Sequence, residues 1–217
     1  MIVVVASRAD RAAEALRDTW AGVGAMRLTP ADLSAPGWAF DPHAVAAGVA
    51  VIDGARLPVR AITGVLTRLP WVLPAELEHI RTADQAYAAA EMNAFLLAWL
   101  SALECPVLNR PTAGCLAGPG LHRIEWADAA ARAGVPTSRG PDRATVAVVG
   151  ARCVGAVHPL QAERARRLAA EVHAGLLRVG FSSRGHDGRV VSADPWPDVA
   201  DPAIASAILA ELTGAGA

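Results

Sequence analysis

Residues 138–143 divide the chain into two textures, and this division constrains the fold more than any other feature of the sequence. Before it, short β-branched runs alternate with Ala/Leu-rich helical segments. The run at 2–6 leads into a helical segment at about 8–20, with Ser7 as the expected cap and Asp10 three residues on. A second strand is expected at 25–28, a hairpin at 49–59 turning on Asp53-Gly54, and another strand at 62–67. Thr82, Ala83, Asp84 and Gln85 have the spacing of a capping box before a long helix over about 85–104. Tyr87, Phe95, Trp99 and Leu103 supply that helix with an apolar face. Cys105-Pro106 ends it, 107–108 makes a short buried strand, and a further helix covers about 121–133 before Gly134. Strand and helix in alternation predict a mostly parallel sheet covered by helices.

After the joint the chain turns to hairpins. Residues 145–149 and 152–157 pair around Gly150, and 176–182 and 189–192 pair around Asp187-Gly188. Between them lies a helix opened by Pro159 and closed by Gly175, and Asp201-Pro202 caps a last one. This half predicts an α+β arrangement.

The 217 residues, 53% of them apolar, suffice for one large domain or two small lobes with a substantial core. A net charge of -1 provides no footprint for nucleic acid, which needs clustered Lys and Arg. The opening Met-Ile-Val-Val-Val-Ala-Ser-Arg does not read as a signal peptide, and the longest apolar stretch, 94–103, falls short of the roughly 20 residues a bilayer takes. A soluble cytoplasmic protein with no membrane partner is expected. Cys105, Cys115 and Cys153 are odd in number and form no CxxC pair, so buried free thiols are expected in place of a disulfide framework, a zinc site or a catalytic cysteine. All 20 basic residues are Arg. The absence of lysine excludes Schiff bases and lysine clamps on phosphate. No GxGxxG follows the first strand, so the dinucleotide fingerprint is missing.

Several segments then fall into a familiar order. They are Gly64-Val65-Leu66-Thr67-Arg68-Leu69-Pro70, Asp84-Gln85-Ala86-Tyr87 with Glu91, Val107-Leu108-Asn109-Arg110-Pro111, and AAARAGVPT at 129–137. Asp142-Arg143 with Val148-Val149-Gly150, the stretch 164–181, and Asp194-Pro195-Trp196-Pro197-Asp198 complete the series. In this order they resemble the ATP-grasp ligases, especially the branch that modifies ribosomal peptides or joins amino acids to carboxylates. The resemblance implies an α/β fold. A Rossmann-like pre-ATP-grasp lobe with a parallel sheet would occupy 1–137, and an α+β carboxy-terminal lobe of ATP-grasp type would occupy 142–217, with 138–141 as linker.

The departures carry as much meaning. In the family a subdomain supplying an ATP-binding lysine, the adenine pocket and the lid lies where this chain has only Ser138, Arg139, Gly140 and Pro141. Four residues turn a chain but build no lobe. The earlier family lysine falls on Leu121, His122 or Arg123. The acidic magnesium ligand falls on Ser192 and the Asn position on Asp194, poor provision for an octahedral oxygen site. The expectation is a truncated, ATP-independent relative with no cofactor and no metal. It would bind a small-molecule or peptide substrate in a peptide-modifying or specialised-metabolite pathway, as a homodimer or with a partner enzyme of the pathway.

Within that frame the candidate catalytic residues are His122, with Glu125 one helical turn on, and Asp194. The candidate substrate-binding residues are Arg68, Glu91, Asn109, Arg110, Arg143 and Arg178. The plain alternatives are that Arg68 and Glu91 form a structural ion pair, that Asn109 and Arg110 serve the turn after a strand, that His122 is a helix cap, and that Arg143, Arg178 and Asp194 satisfy one another. Two other functions stay open. One is a ligase completed by another chain and binding nucleotide through Arg110, Arg123, Arg143 and Asp194. The other is a small cyclase or hydrolase using His122 with Glu125 or Asp194.

Overall fold

A computed structural model describes residues 1–215. The chain divides into two compact units, Met1–Gly118 with Leu212–Ala215, and Pro119–Glu211.

In the first unit, β1 (Ile2–Val5) leads to α1 (Arg11–Thr19), β2 (Met26–Leu28) and the short α2 (Pro30–Leu33). A hairpin of β3 (Val49–Ile52) and β4 (Ala55–Pro58) follows, then β5 (Gly64–Thr67), the 21-residue α3 (Thr82–Ala102) and β6 (Val107–Leu108). β1, β2, β5 and β6 form an all-parallel sheet in the order β2-β1-β5-β6. Its β-branched strands are buried from end to end, the pattern of a sheet covered on both faces. Asp53 and Gly54 both have positive φ, 53° and 70°, as a two-residue hairpin turn of this hand requires.

Three local expectations are corrected here. Asp10, not Ser7, caps α1: its side chain accepts from the Ala13 N–H, while Ser7 Oγ accepts from Ala9 N and turns the chain ahead of the helix. The helix α3 starts at Thr82, because Gln85 reaches back to the carbonyls of Leu77 and Ile80 and fixes the entry from outside the helix. Tyr87 leaves the predicted apolar face and stands 71% exposed, whereas Trp99 is fully buried and Phe95 packs edge-on against Trp38 and Phe40.

The second unit runs α4 (Arg123–Arg132), β7 (Ala144–Val149), β8 (Arg152–Val154), α5 (Pro159–Glu171), β9 (Leu176–Phe181), β10 (Val190–Asp194) and α6 (Pro202–Thr213), the last of which ends in the first unit. The four strands form an antiparallel sheet in the order β10-β9-β7-β8. Ala129, Ala130 and Val135 share one apolar core with Leu168, Val179 and Phe181. Segment 119–137 therefore packs with the hairpin half, and the compact units divide after Gly118. The last two residues of the 142–217 lobe lie outside the described residues. No helix among the described residues is long and apolar enough to cross a membrane.

Candidate functional site

A cavity of about 690 Å³ opens in the second unit. The amino-terminal turns of α4, segment 137–140 and every residue from Val190 to Trp196 line it. Its walls are mixed. Leu121, Ile124, Trp126 and Trp196 offer apolar surface, and Arg123, Asp128 and Arg139 offer charge.

At the end of β10 the cavity meets a charge cluster built across three segments. Arg178 on β9 donates from Nη2 to Asp142 Oδ2 at 2.6 Å, and from Nη1 to Asp194 Oδ2 at 3.1 Å and Ser192 Oγ at 3.3 Å. Ser192 Oγ lies 2.9 Å from both carboxylate oxygens of Asp142. Asp194 spends its other oxygen on the Trp196 N–H at 3.0 Å, an Asx turn that fixes the chain leaving the sheet. The antiparallel register explains the assembly, because Asp194 sits opposite Arg178 and Ser192 opposite Gly180. Gly180 is needed there, since a Cβ would strike the Asp142 carboxylate. The three charged side chains are 23–37% exposed. Burial alone would lower the Arg178 pKa. The bond to Asp142 and the charges of Asp194 and Asp142 outweigh it and hold the guanidinium above its ordinary value.

Of the residues singled out by sequence, Asp194 and Arg178 therefore meet, and Asp142 and Ser192 complete the cluster. Arg143 is exposed beside it, with its backbone N–H donating to Phe181 O. His122 caps α4: its backbone N–H donates to Glu125 Oε2 at 2.6 Å, and neither side chain lines the cavity. That geometry is a helix start. Arg123, which the sequence marks only as a nucleotide ligand of the ligase alternative, lines the cavity together with Arg139, Trp126 and Trp196, which the sequence does not mark as binding residues. The signals for Arg139 and Trp196 are their places beside the Pro-Thr segment and in the Asp-Pro-Trp motif, and for Arg123 its place at the family-lysine position; nothing in the sequence singles out Trp126.

In the first unit, Arg68 pairs with Asp10 at 2.8 Å and not with Glu91, which stands exposed on α3. Asp10 thus caps α1 and holds Arg68 at once. Arg110 folds back on the end of α3, donating to the carbonyls of Leu100, Ser101, Leu103 and Cys105. Leu100 and Ser101 are among the orphan acceptors α3 leaves at its carboxyl end, and Leu103 is its cap; a cation there is also favoured by the dipole. Asn109 is 2% exposed and donates to Ala117 O at 3.4 Å. Cys115 is buried and Cys105 and Cys153 half-buried, and burial raises all three thiol pKa values, as for packing residues.

No protein-family model matches the chain, and neither does any curated protein. Solved structures do. The ATP-grasp ligase PsnB, complexed with a phosphomimetic variant of a minimal precursor, magnesium and ADP, matches at a TM-score of 0.70 and 13% identity over 97% of this chain and 98% of that one. The macrocyclase MdnC of Microcystis aeruginosa, bound with precursor peptide MdnA, matches at 0.67 and 11% identity over 99% and 100%. A RiPP-associated ATP-grasp ligase of Chryseobacterium gregarium, in complex with ADP and a leader and core peptide, matches at 0.68 and 9% identity over 99% and 96%. Across nearly its whole length, then, this chain has the fold of an ATP-grasp ligase.

Proposed function

We propose that the protein is an ATP-independent, truncated ATP-grasp-like protein of a peptide-modifying or specialised-metabolite pathway, which uses the cavity of its second unit to bind a peptide or small molecule. The observation that carries this reading is the placement of Arg178. Magnesium takes hard oxygen ligands at near-octahedral geometry, and the oxygens on offer are those of Asp142, Ser192 and Asp194. Arg178 already bonds to all three residues. A fixed cation among them repels a second, so this donor set does not fit magnesium and offers no metal for phosphoryl transfer. The lack of any lysine supports the same conclusion from the phosphate side. Two ATP-grasp ligases and a macrocyclase of the same fold are known with ADP or precursor peptides bound, and the peptide half of that pairing is the half this chain is equipped to keep.

The reading assigns Arg123 and Arg139, alongside Asp194, to the ligand. It leaves Asn109, Arg110 and the His122–Glu125 cap to the scaffold. Calorimetric titration of the isolated chain with ATP and magnesium tests it: heats no larger than dilution are expected, and micromolar binding would defeat it.

A further inference from the structure

We propose that the cavity of the second unit takes a short apolar peptide whose two ends are both free, with its ammonium group on Asp194 and its carboxylate on Arg139 and Arg123. This deepens the binding reading above and rests on it.

The charges select a ligand of both signs. Asp142 and Asp194 share the single guanidinium of Arg178, so this cluster keeps one negative charge in excess. Asp194 is its charged member on the cavity wall. After its bonds to Arg178 and to the Trp196 N–H its oxygens retain acceptor sites, since a carboxylate offers about four. Elsewhere on the wall stand Arg123, Arg139 and Asp128, all exposed and none ion-paired with another described residue. That second group carries one positive charge in excess. Three arginines thus face three aspartates, and the cavity is neutral as a whole while neither group is neutral by itself. A polyanion or a polycation meets repulsion from one group, whereas a zwitterion complements both.

The backbone sets the two groups apart by the length of a short peptide. The Ser138 N–H donates to Val190 O, which puts Arg139 beside the start of β10, and Asp194 ends that strand. The rise from Val190 to Asp194 is about 13 Å in a regular strand, and somewhat less here because a bulge lies between Val190 and Ser192. An extended tripeptide spans about 10 Å.

The rest of the lining suits the body of such a ligand. Ile124 is 76% exposed although it lines the cavity, and Leu121, Trp126 and Trp196 add apolar surface. Apolar side chains on the peptide would cover them. The volume of about 690 Å³ is that of a pocket for a drug-sized ligand, which a tripeptide is.

The test is calorimetric titration of the full chain with the tripeptide Leu-Ala-Leu in three forms: unblocked, N-acetylated and C-amidated. The unblocked peptide should bind, and each blocked form should bind at least about tenfold more weakly. An Arg123→Gln/Arg139→Gln variant, changed at two exposed positions, should lose the preference for the free carboxylate and keep the preference for the free amine. Equal affinity for the three forms would overturn the inference while leaving a peptide-binding cavity. So would a preference at one end only, a variant that still discriminates acid from amide, or no binding of the unblocked peptide at millimolar concentration. The ATP titration judges the broader reading separately.

Discussion

Arg178 and Arg110 show how differently one residue type is used at two places. Arg178 neutralises one of two half-buried carboxylates, so Arg178→Met leaves Asp142 and Asp194 unbalanced. It should cost about 1–2 kcal/mol in urea unfolding, the low end for a pair of this exposure. The same variant should bind manganese in the millimolar range by calorimetry, where the unaltered chain does not. Absence of both effects would sink the account of the cluster. Arg110→Ala should likewise cost about 1–2 kcal/mol, because it strips donors from the end of α3. A stable Arg110→Ala that lost ligand affinity would return Arg110 to the binding site. The thiols give a pH test. Burial raises their pKa values, so at pH 8 the thiolate is scarcer than in the unfolded chain, and the deficit closes only as pH rises further. Iodoacetamide should therefore react with the native protein more slowly than with the urea-unfolded one; equal rates would contradict this.

Among the elements, the sequence was read well where turn chemistry is local and poorly where a contact comes from afar. Asp53-Gly54, Gly150 and Asp187-Gly188 mark all three hairpins, because positive φ or a tight reversal is written in the residues themselves. The start of α1 was misplaced because Ser7 and Asp10 are both good caps. What selects Asp10 is Arg68, 58 residues on, which bonds its second oxygen. Asp10→Ala should thus cost more than the roughly 1 kcal/mol of an isolated cap, since it also strands the Arg68 guanidinium. Thermal unfolding of Asp10→Ala and Asp10→Asn would show it: Asn keeps the cap but not the charge and should fall between. Tyr87 defeated the apolar-face reading of α3 because helical spacing gives a stripe but not its partner. The cavity's walls join α4 to β10 across about 65 residues of chain, and the family-lysine position at 121–123 and the motif around Asp194 each hint at one side of it.

For the molecule as a whole, the order of elements is legible in the sequence. Segment 119–137 reads as the end of an alternating α/β lobe, while Ala129, Ala130 and Val135 find their apolar partners on α5 and β9, some 30 to 50 residues later. Dimerisation remains a proposal at this scale: light scattering on a size-exclusion column should give twice the 22.4 kDa of the chain, and a monomeric mass would remove it. The Arg178 cluster has a consequence for how the protein answers its surroundings. A site held together by a bound ion empties when that ion is scarce and refills when it is plentiful, so its occupancy follows supply. A guanidinium carried on β9 cannot dissociate. The positive charge at this cleft is therefore independent of ion supply, and the melting temperature should be indifferent to dialysis against EDTA or to added magnesium.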